Sequence, residues 1–188
     1  MTTSRLIPIA FALVLCGAAA AQAQLVVTPF ASANVRTTPG FIDLDDAAKD
    51  LHGGFGLAVS LLTDGWLGVE GESSLTPSAF SGGDLVTSSR LFTASGGVLA
   101  TAPARWGWVV RPYVSLGAGI AQINSVDVAH LFVVDSSHPI ATASVGAWAW
   151  FGPRIGIRTS LRLVRSLRTV ETDSFETWQP SVGLAWRF

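Results

Sequence analysis

The sequence predicts an all-β fold, an eight-stranded antiparallel up-and-down transmembrane β-barrel, and three observations carry that expectation. First, the end of the chain alternates strictly: Trp178, Pro180, Val182, Leu184, Trp186 and Phe188 share one parity, and Gln179, Ser181, Gly183, Ala185 and Arg187 share the other. One apolar face with aromatic residues at both ends suits a strand that crosses a lipid slab between two interfacial girdles. At roughly 3.3 Å per residue and a tilt of about 45°, such a strand rises about 25 Å, the height of the apolar band. Second, charged residues make up only 13% of the chain and Lys49 is the sole lysine, too few for the water-facing surface of an ordinary soluble domain. Third, beyond residue 23 no run approaches the roughly 20 apolar residues of a membrane helix. Apolar composition without a helix-length span is what alternating membrane strands produce.

The strands follow in order from the period-two segments. The first is 25–34. The second, 53–62, turns Phe55, Leu57, Val59 and Leu61 to lipid and Gly54, Gly56, Ala58 and Ser60 inward. The third, 66–75, is joined to it by Thr63-Asp64-Gly65, whose Asp-Gly pair has hairpin-turn chemistry. Glu70 and Glu72 share one face of that strand. The fourth is 90–101. In the fifth, 108–121, Trp108, Val110, Pro112, Val114, Leu116 and Ile120 point outward, and Arg111, Tyr113, Ser115, Gly117 and Gly119 point inward. The sixth, 139–151, has no clear phase, because Trp148 and Trp150 compete with Val145, Ala147 and Phe151 for the lipid face. The seventh, 154–166, places Ile155, Ile157, Thr159, Leu161 and Leu163 outward and Arg158 and Arg162 inward, since a basic residue facing lipid at the midplane costs roughly 2–4 kcal/mol. The eighth is 178–188. Connections alternate between long (35–52, 76–89, 122–138, 167–177) and short (63–65, 102–107, 152–153), which matches extracellular loops and periplasmic turns. A soluble barrel or sandwich would use the same period with the apolar face inward, but its outer face would then carry Gly, Ala and Ser in place of Lys and Glu.

Residues 1–23 read as a cleaved secretory signal: Arg5, an apolar run over 6–21, and Ala21-Gln22-Ala23 as a small-residue cleavage site. The alternative, a lipoprotein signal ending at Cys16, is opposed by the bulk of Leu15. Residues 24–188 then form a single outer-membrane barrel domain, without cysteine and therefore without a disulfide or thiolate metal site. A net charge of −1 argues against a nucleic-acid binder.

This arrangement resembles the small outer-membrane barrels of the OmpA and OmpX type, including "outer membrane protein beta-barrel domain" proteins. The most specific element is the terminal strand, in which Val182, Leu184, Trp186 and Phe188 look like the C-terminal signal read by the barrel-assembly machinery. The resemblance implies a fold, an assembly route and contact with outer-membrane lipids and lipopolysaccharide. It does not imply an activity.

Several constellations invite chemistry. Glu70, Glu72, Arg111, Arg158 and Arg162 point into one lumen, where buried charges must pair. They form either a gate for a narrow ion path or a static polar plug, and a lumen just wide enough for side chains favours the plug. Carboxylates facing arginines are unsuited to general acid work. A lipid-modifying enzyme would need Ser and His together, yet His130 precedes Leu131-Phe132, and His138 follows Ser136 and Ser137 in a loop. The segment from Asp43 to Gly53 begins like a calcium loop but has Ala47 at an acidic position and lacks the glycine, so a short helix capped by Asp45 or Asp46 accounts for it better. Arg165 and Arg168 stand at the outer end of the seventh strand, where guanidinium groups would meet lipopolysaccharide phosphates.

The expected function is therefore a non-enzymatic, monomeric outer-membrane protein, without cofactor or metal, whose extracellular loops serve envelope integrity or surface interaction. The runner-up is a narrow pore or hydrophobic-solute conduit.

Overall fold

A strand with one lipid-facing side leaves backbone donors and acceptors along both edges, and in hydrocarbon those groups are satisfied only by closing the sheet into a ring. The computed structural model describes residues 23–38, 52–77, 86–103, 106–107, 109–127, 133–167 and 176–188. It contains β1 (Gln24–Thr38), β2 (His52–Leu62), β3 (Leu67–Pro77), β4 (Val86–Thr101), β5 (Val110–Asp127), β6 (Val133–Trp150), β7 (Ile155–Ser166) and β8 (Glu176–Arg187). Each strand pairs antiparallel with the next, and β1 pairs with β8 to close the barrel. Residues 1–22 of the expected signal segment, with Cys16, the acidic loop at 43–51, and Trp108, His130 and Arg168 lie outside the described residues. Among the described residues no helix is long and apolar enough to cross a membrane.

The β2–β3, β4–β5 and β6–β7 connections share one end of the barrel with residues 23 and 188, here the turn end. At the first turn Thr63 Oγ1 donates to Leu67 O (2.6 Å) and accepts from the Gly65 N–H (3.2 Å), which satisfies groups that the ladder no longer serves. In the β4–β5 connection Gly107 adopts φ 65°, a left-handed conformation that a side chain disfavours.

At the other end, the loop end, β4, β5 and β6 run further than the sequence indicated. The β5–β6 ladder continues past Ile120↔Pro139 to Val126↔Val133, so the connection expected over 122–138 narrows to 128–132. The apolar alternation stops where the outward residues become Gln122 and Asn124, but the hydrogen-bonded ladder does not depend on a lipid-facing side chain. His138 is accordingly a strand residue and not a loop residue.

Outward residues match the expected phases: Phe55, Val114, Leu116, Val182 and Leu184 are all exposed. Trp66, Trp106, Phe151, Trp186 and Phe188 ring the turn end, with Trp66 and Trp106 in an edge-to-face pair at 4.8 Å. Phe55, Phe92 and Trp178 lie toward the loop end. The sixth strand acquires its phase here: Trp148 and Trp150 are buried in the lumen, and Val145 and Phe151 face out. The Trp148 ring packs on Tyr113 at 4.2 Å. Glycines make room for these rings, because a Cβ on Gly146 would strike the Tyr113 ring (2.7 Å) and one on Gly156 the Trp150 ring (2.7 Å).

The interior is layered. Val26, Leu62, Leu99, Tyr113, Trp148, Trp150 and Ala185 form an apolar cluster at the turn end. A second cluster, Leu91, Ala121, Ile123, Ile140 and Val164, lines the β4–β7 wall at the loop end. Between them lies a polar layer.

Candidate functional site: a charged brace across the lumen

The period-two pattern puts Glu70 and Glu72 on the inner face of β3 and Arg158 and Arg162 on the inner face of β7. In a closed ring of eight these strands stand four places apart, so the charges meet across the full width of the lumen. Arg158 Nη2 lies 2.9 Å from Glu70 Oε1 and 3.3 Å from Glu72 Oε2, and Arg162 Nη1 lies 2.7 Å from Glu72 Oε1. Ser60 Oγ donates to the remaining oxygen, Glu70 Oε2 (2.7 Å). All four carboxylate oxygens therefore hold a donor, and neither glutamate presents an unoccupied base to a ligand.

The guanidinium groups are committed as well, except that Arg158 Nη1 is buried without a hydrogen-bond partner. Arg158 Nε donates to Tyr113 Oη (2.7 Å), and its carbon sits 5.1 Å from the Tyr113 ring centroid and 5.8 Å from that of Trp148. Arg162 Nη2 donates to Ser95 Oγ (2.6 Å). Gln179, which accepts from Arg162 Nη1 (3.4 Å), donates to Ser32 Oγ (3.1 Å) and Ser74 Oγ (3.2 Å). Seven strands are tied by hydrogen bonds or ion pairs, and β6 joins through Trp148 beneath Arg158. Beside Glu72 and Arg162 a cavity of about 10 Å³, bordered by Ser95, Ser115, Thr142 and Ser144, has room for about one water molecule. Burying these charges carries a desolvation cost that pairing offsets, so the layer contributes mainly by fixing strand positions, while loss of one partner exposes the full cost.

Arg111 faces the lumen as the phase of β5 requires, but it does not join the brace. It lies at the turn end, where Nε donates to Ala102 O (3.0 Å). Face was readable from the period; height was not, because height depends on strand stagger. Tyr113, Ser95 and Gln179 were not singled out as site residues by sequence reasoning, although Tyr113 was placed on the inner face and the parity of the other two was available. His138 is buried at 2% exposure in β6, its Nε2 3.0 Å from Ser136 Oγ on the same face. That pair is closed to an approaching ester, so it reads as a strand contact. Among the described residues no three metal-binding side chains cluster.

The model of the family described as "Outer membrane protein beta-barrel domain" matches residues 9–188. The chain belongs to this family. Similar solved structures include Neisserial surface protein A, at 10% identity and a TM-score of 0.67, covering 87% of this chain and 97% of that one. Ail, the attachment invasion locus protein of Yersinia pestis, gives 16% identity and a TM-score of 0.60 over 88% and 99% of the two chains. The N-terminal β-barrel domain of Pseudomonas aeruginosa OprF gives 17% identity and a TM-score of 0.57 over 89% and 100%. No curated protein sequence matches the chain.

As an outer-membrane β-barrel, the protein is a membrane-spanning barrel of the outer membrane, and its turn end and loop end correspond to the periplasmic and extracellular sides of such barrels. On the outer wall Val182, Leu184, Trp186 and Phe188 are all exposed to lipid. Arg165 is exposed near the extracellular end of β7, directly across the ladder from Glu176 of β8.

Proposed function

We propose that this outer-membrane barrel is a sealed, non-enzymatic envelope protein that acts through its extracellular loops, contacting lipopolysaccharide or external partners. The observation that carries this reading is the apolar cluster beneath the brace, with Leu62, Leu99 and Trp148 each at 1% exposure or less. Rearranging the ion pairs alone opens no path, because an ion would still have to cross a dry layer of aromatic and aliphatic side chains. In this reading Arg165, with Arg168, meets lipopolysaccharide phosphate at the rim. Residues 1–23 serve as the cleaved export signal, and the terminal strand is read by the barrel-assembly machinery before the monomer inserts.

Single-channel recording in planar bilayers tests the seal. The wild-type barrel and Glu72→Gln are both expected to remain silent, whereas Trp148→Ala, which removes the largest side chain of the plug, is expected to produce brief conductance steps. Reproducible wild-type steps altered by Glu72→Gln would instead make the lumen a small pore with a charge gate.

A further inference from the structure

The periplasmic end of the lumen holds two arginines, Arg111 and Arg187, that form no ion pair among the described residues. Arg111 is 3% exposed, and beyond the single bond from Nε to Ala102 O, its Nη1 and Nη2 have no hydrogen-bond partner. Arg158 and Arg162, equally buried, each hold a carboxylate. Arg187 lies 3.8 Å over the Trp150 ring and leaves its own Nε without a partner. Arg111 pairs across the ladder with Trp148, and the Trp150 backbone N–H donates to Val109 O (2.9 Å), so the Trp150 ring that carries Arg187 belongs to the same end of the lumen as Arg111. Asp64 is exposed in the β2–β3 turn, and among the described residues it makes no ion pair with Arg111.

The unsatisfied atoms at this end are mostly donors. Arg111 Nη1 and Nη2, Arg187 Nε and the indole nitrogens of Trp148 and Trp150 are all buried without acceptors, against one unpartnered acceptor, Gln24 Oε1. A water molecule could take one or two of these bonds but would leave the charge uncompensated, and an unpaired buried cation is strongly disfavoured. Nη1 and Nη2 of one guanidinium form a planar fork that matches two oxygens of an oxyanion. A second guanidinium in the same neighbourhood suits the charge of a phosphate.

We propose that the periplasmic mouth of the barrel is a phosphate-binding site in which Arg111 supplies the bidentate contact and Arg187, with the Trp150 indole, completes the shell. The phosphate arrives from the periplasmic side, as the free ion or as the headgroup of an inner-leaflet lipid. The anion enters from the turn end, where Arg187 is half-buried.

The test uses residues 24–188, which carry all eight strands, folded in maltoside micelles that contain no phosphate. Inorganic phosphate is titrated at constant ionic strength while the Trp150 indole N–H signal and the melting midpoint are followed. The expected result is a saturable shift of that signal and a rise in Tm. Both should disappear in Arg111→Gln and weaken roughly tenfold in Arg111→Lys, which keeps the charge but loses the fork. Repeating the titration in phosphocholine micelles separates the two sources: a response abolished there assigns the site to lipid headgroups, and one retained assigns it to the free ion. An absent or unsaturable response, an equal response to chloride, or an unchanged response in folded Arg111→Gln overturns the proposal. If Arg111→Gln does not fold, Arg187→Gln decides, and binding undiminished in that variant counts against the shared site.

Discussion

Arg158→Met is expected to lower the unfolding free energy of the barrel by about 3–5 kcal/mol, the usual consequence of removing one member of a buried ion pair. The loss concentrates on Glu70, because Glu72 keeps Arg162 at 2.7 Å whereas Glu70 keeps only the Ser60 hydroxyl. The substitution also removes the donor to Tyr113 Oη and the cation above Trp148. Adding Glu70→Gln should restore most of the loss, since the double variant no longer strands a carboxylate in the lumen, and the coupling from the four-member cycle then reports the pair itself. Denaturant unfolding in phospholipid vesicles, followed by tryptophan fluorescence, makes the measurement. If Arg158→Met fell within 1 kcal/mol of the parent, the brace would be structurally idle.

The second large effect separates two neighbouring glycines. Gly97→Val should destabilise the barrel by about 3 kcal/mol, at the upper end of overpacking, whereas Gly96→Val should change stability by less than about 0.5 kcal/mol. Gly97 faces the lumen, where a Cβ would run into Leu116 O and come within 2.6 Å of Gly117 Cα, both backbone groups of β5. Gly96 faces outward, and the nearest atom to its Cβ is Glu70 O at 3.9 Å. The reason is proximity of the next strand and not backbone dihedral preference. Comparable unfolding midpoints for the two variants would show that β4 and β5 can separate enough to admit a side chain.

The faces of β2, β5, β7 and β8 were legible because a membrane strand repeats every two residues and charge facing lipid is penalised. The sixth strand resisted because Trp serves two environments: its ring suits an interfacial girdle and also fills a lumen. The parity of Thr142, Ser144 and Gly146 carried the missing signal, since small and polar residues alternate on the same face as Trp148. The upper reaches of β4, β5 and β6 were missed for another reason. Beyond the lipid band a ladder is held by backbone bonds that leave no apolar pattern in the side chains.

The sequence by itself determined an eight-stranded membrane barrel, the inward placement of Glu70, Glu72, Arg111, Arg158 and Arg162, and the apolar wall around them. All of that follows from local periodicity and the cost of exposing charge to hydrocarbon. Only the tertiary structure decided which charges meet. Closure and stagger set β7 opposite β3, so Arg158 and Arg162 reach the glutamates, and they leave Arg111 one layer lower, without a carboxylate and beneath the β4–β5 connection. A period of two specifies which way a side chain points; the ring specifies what it finds there.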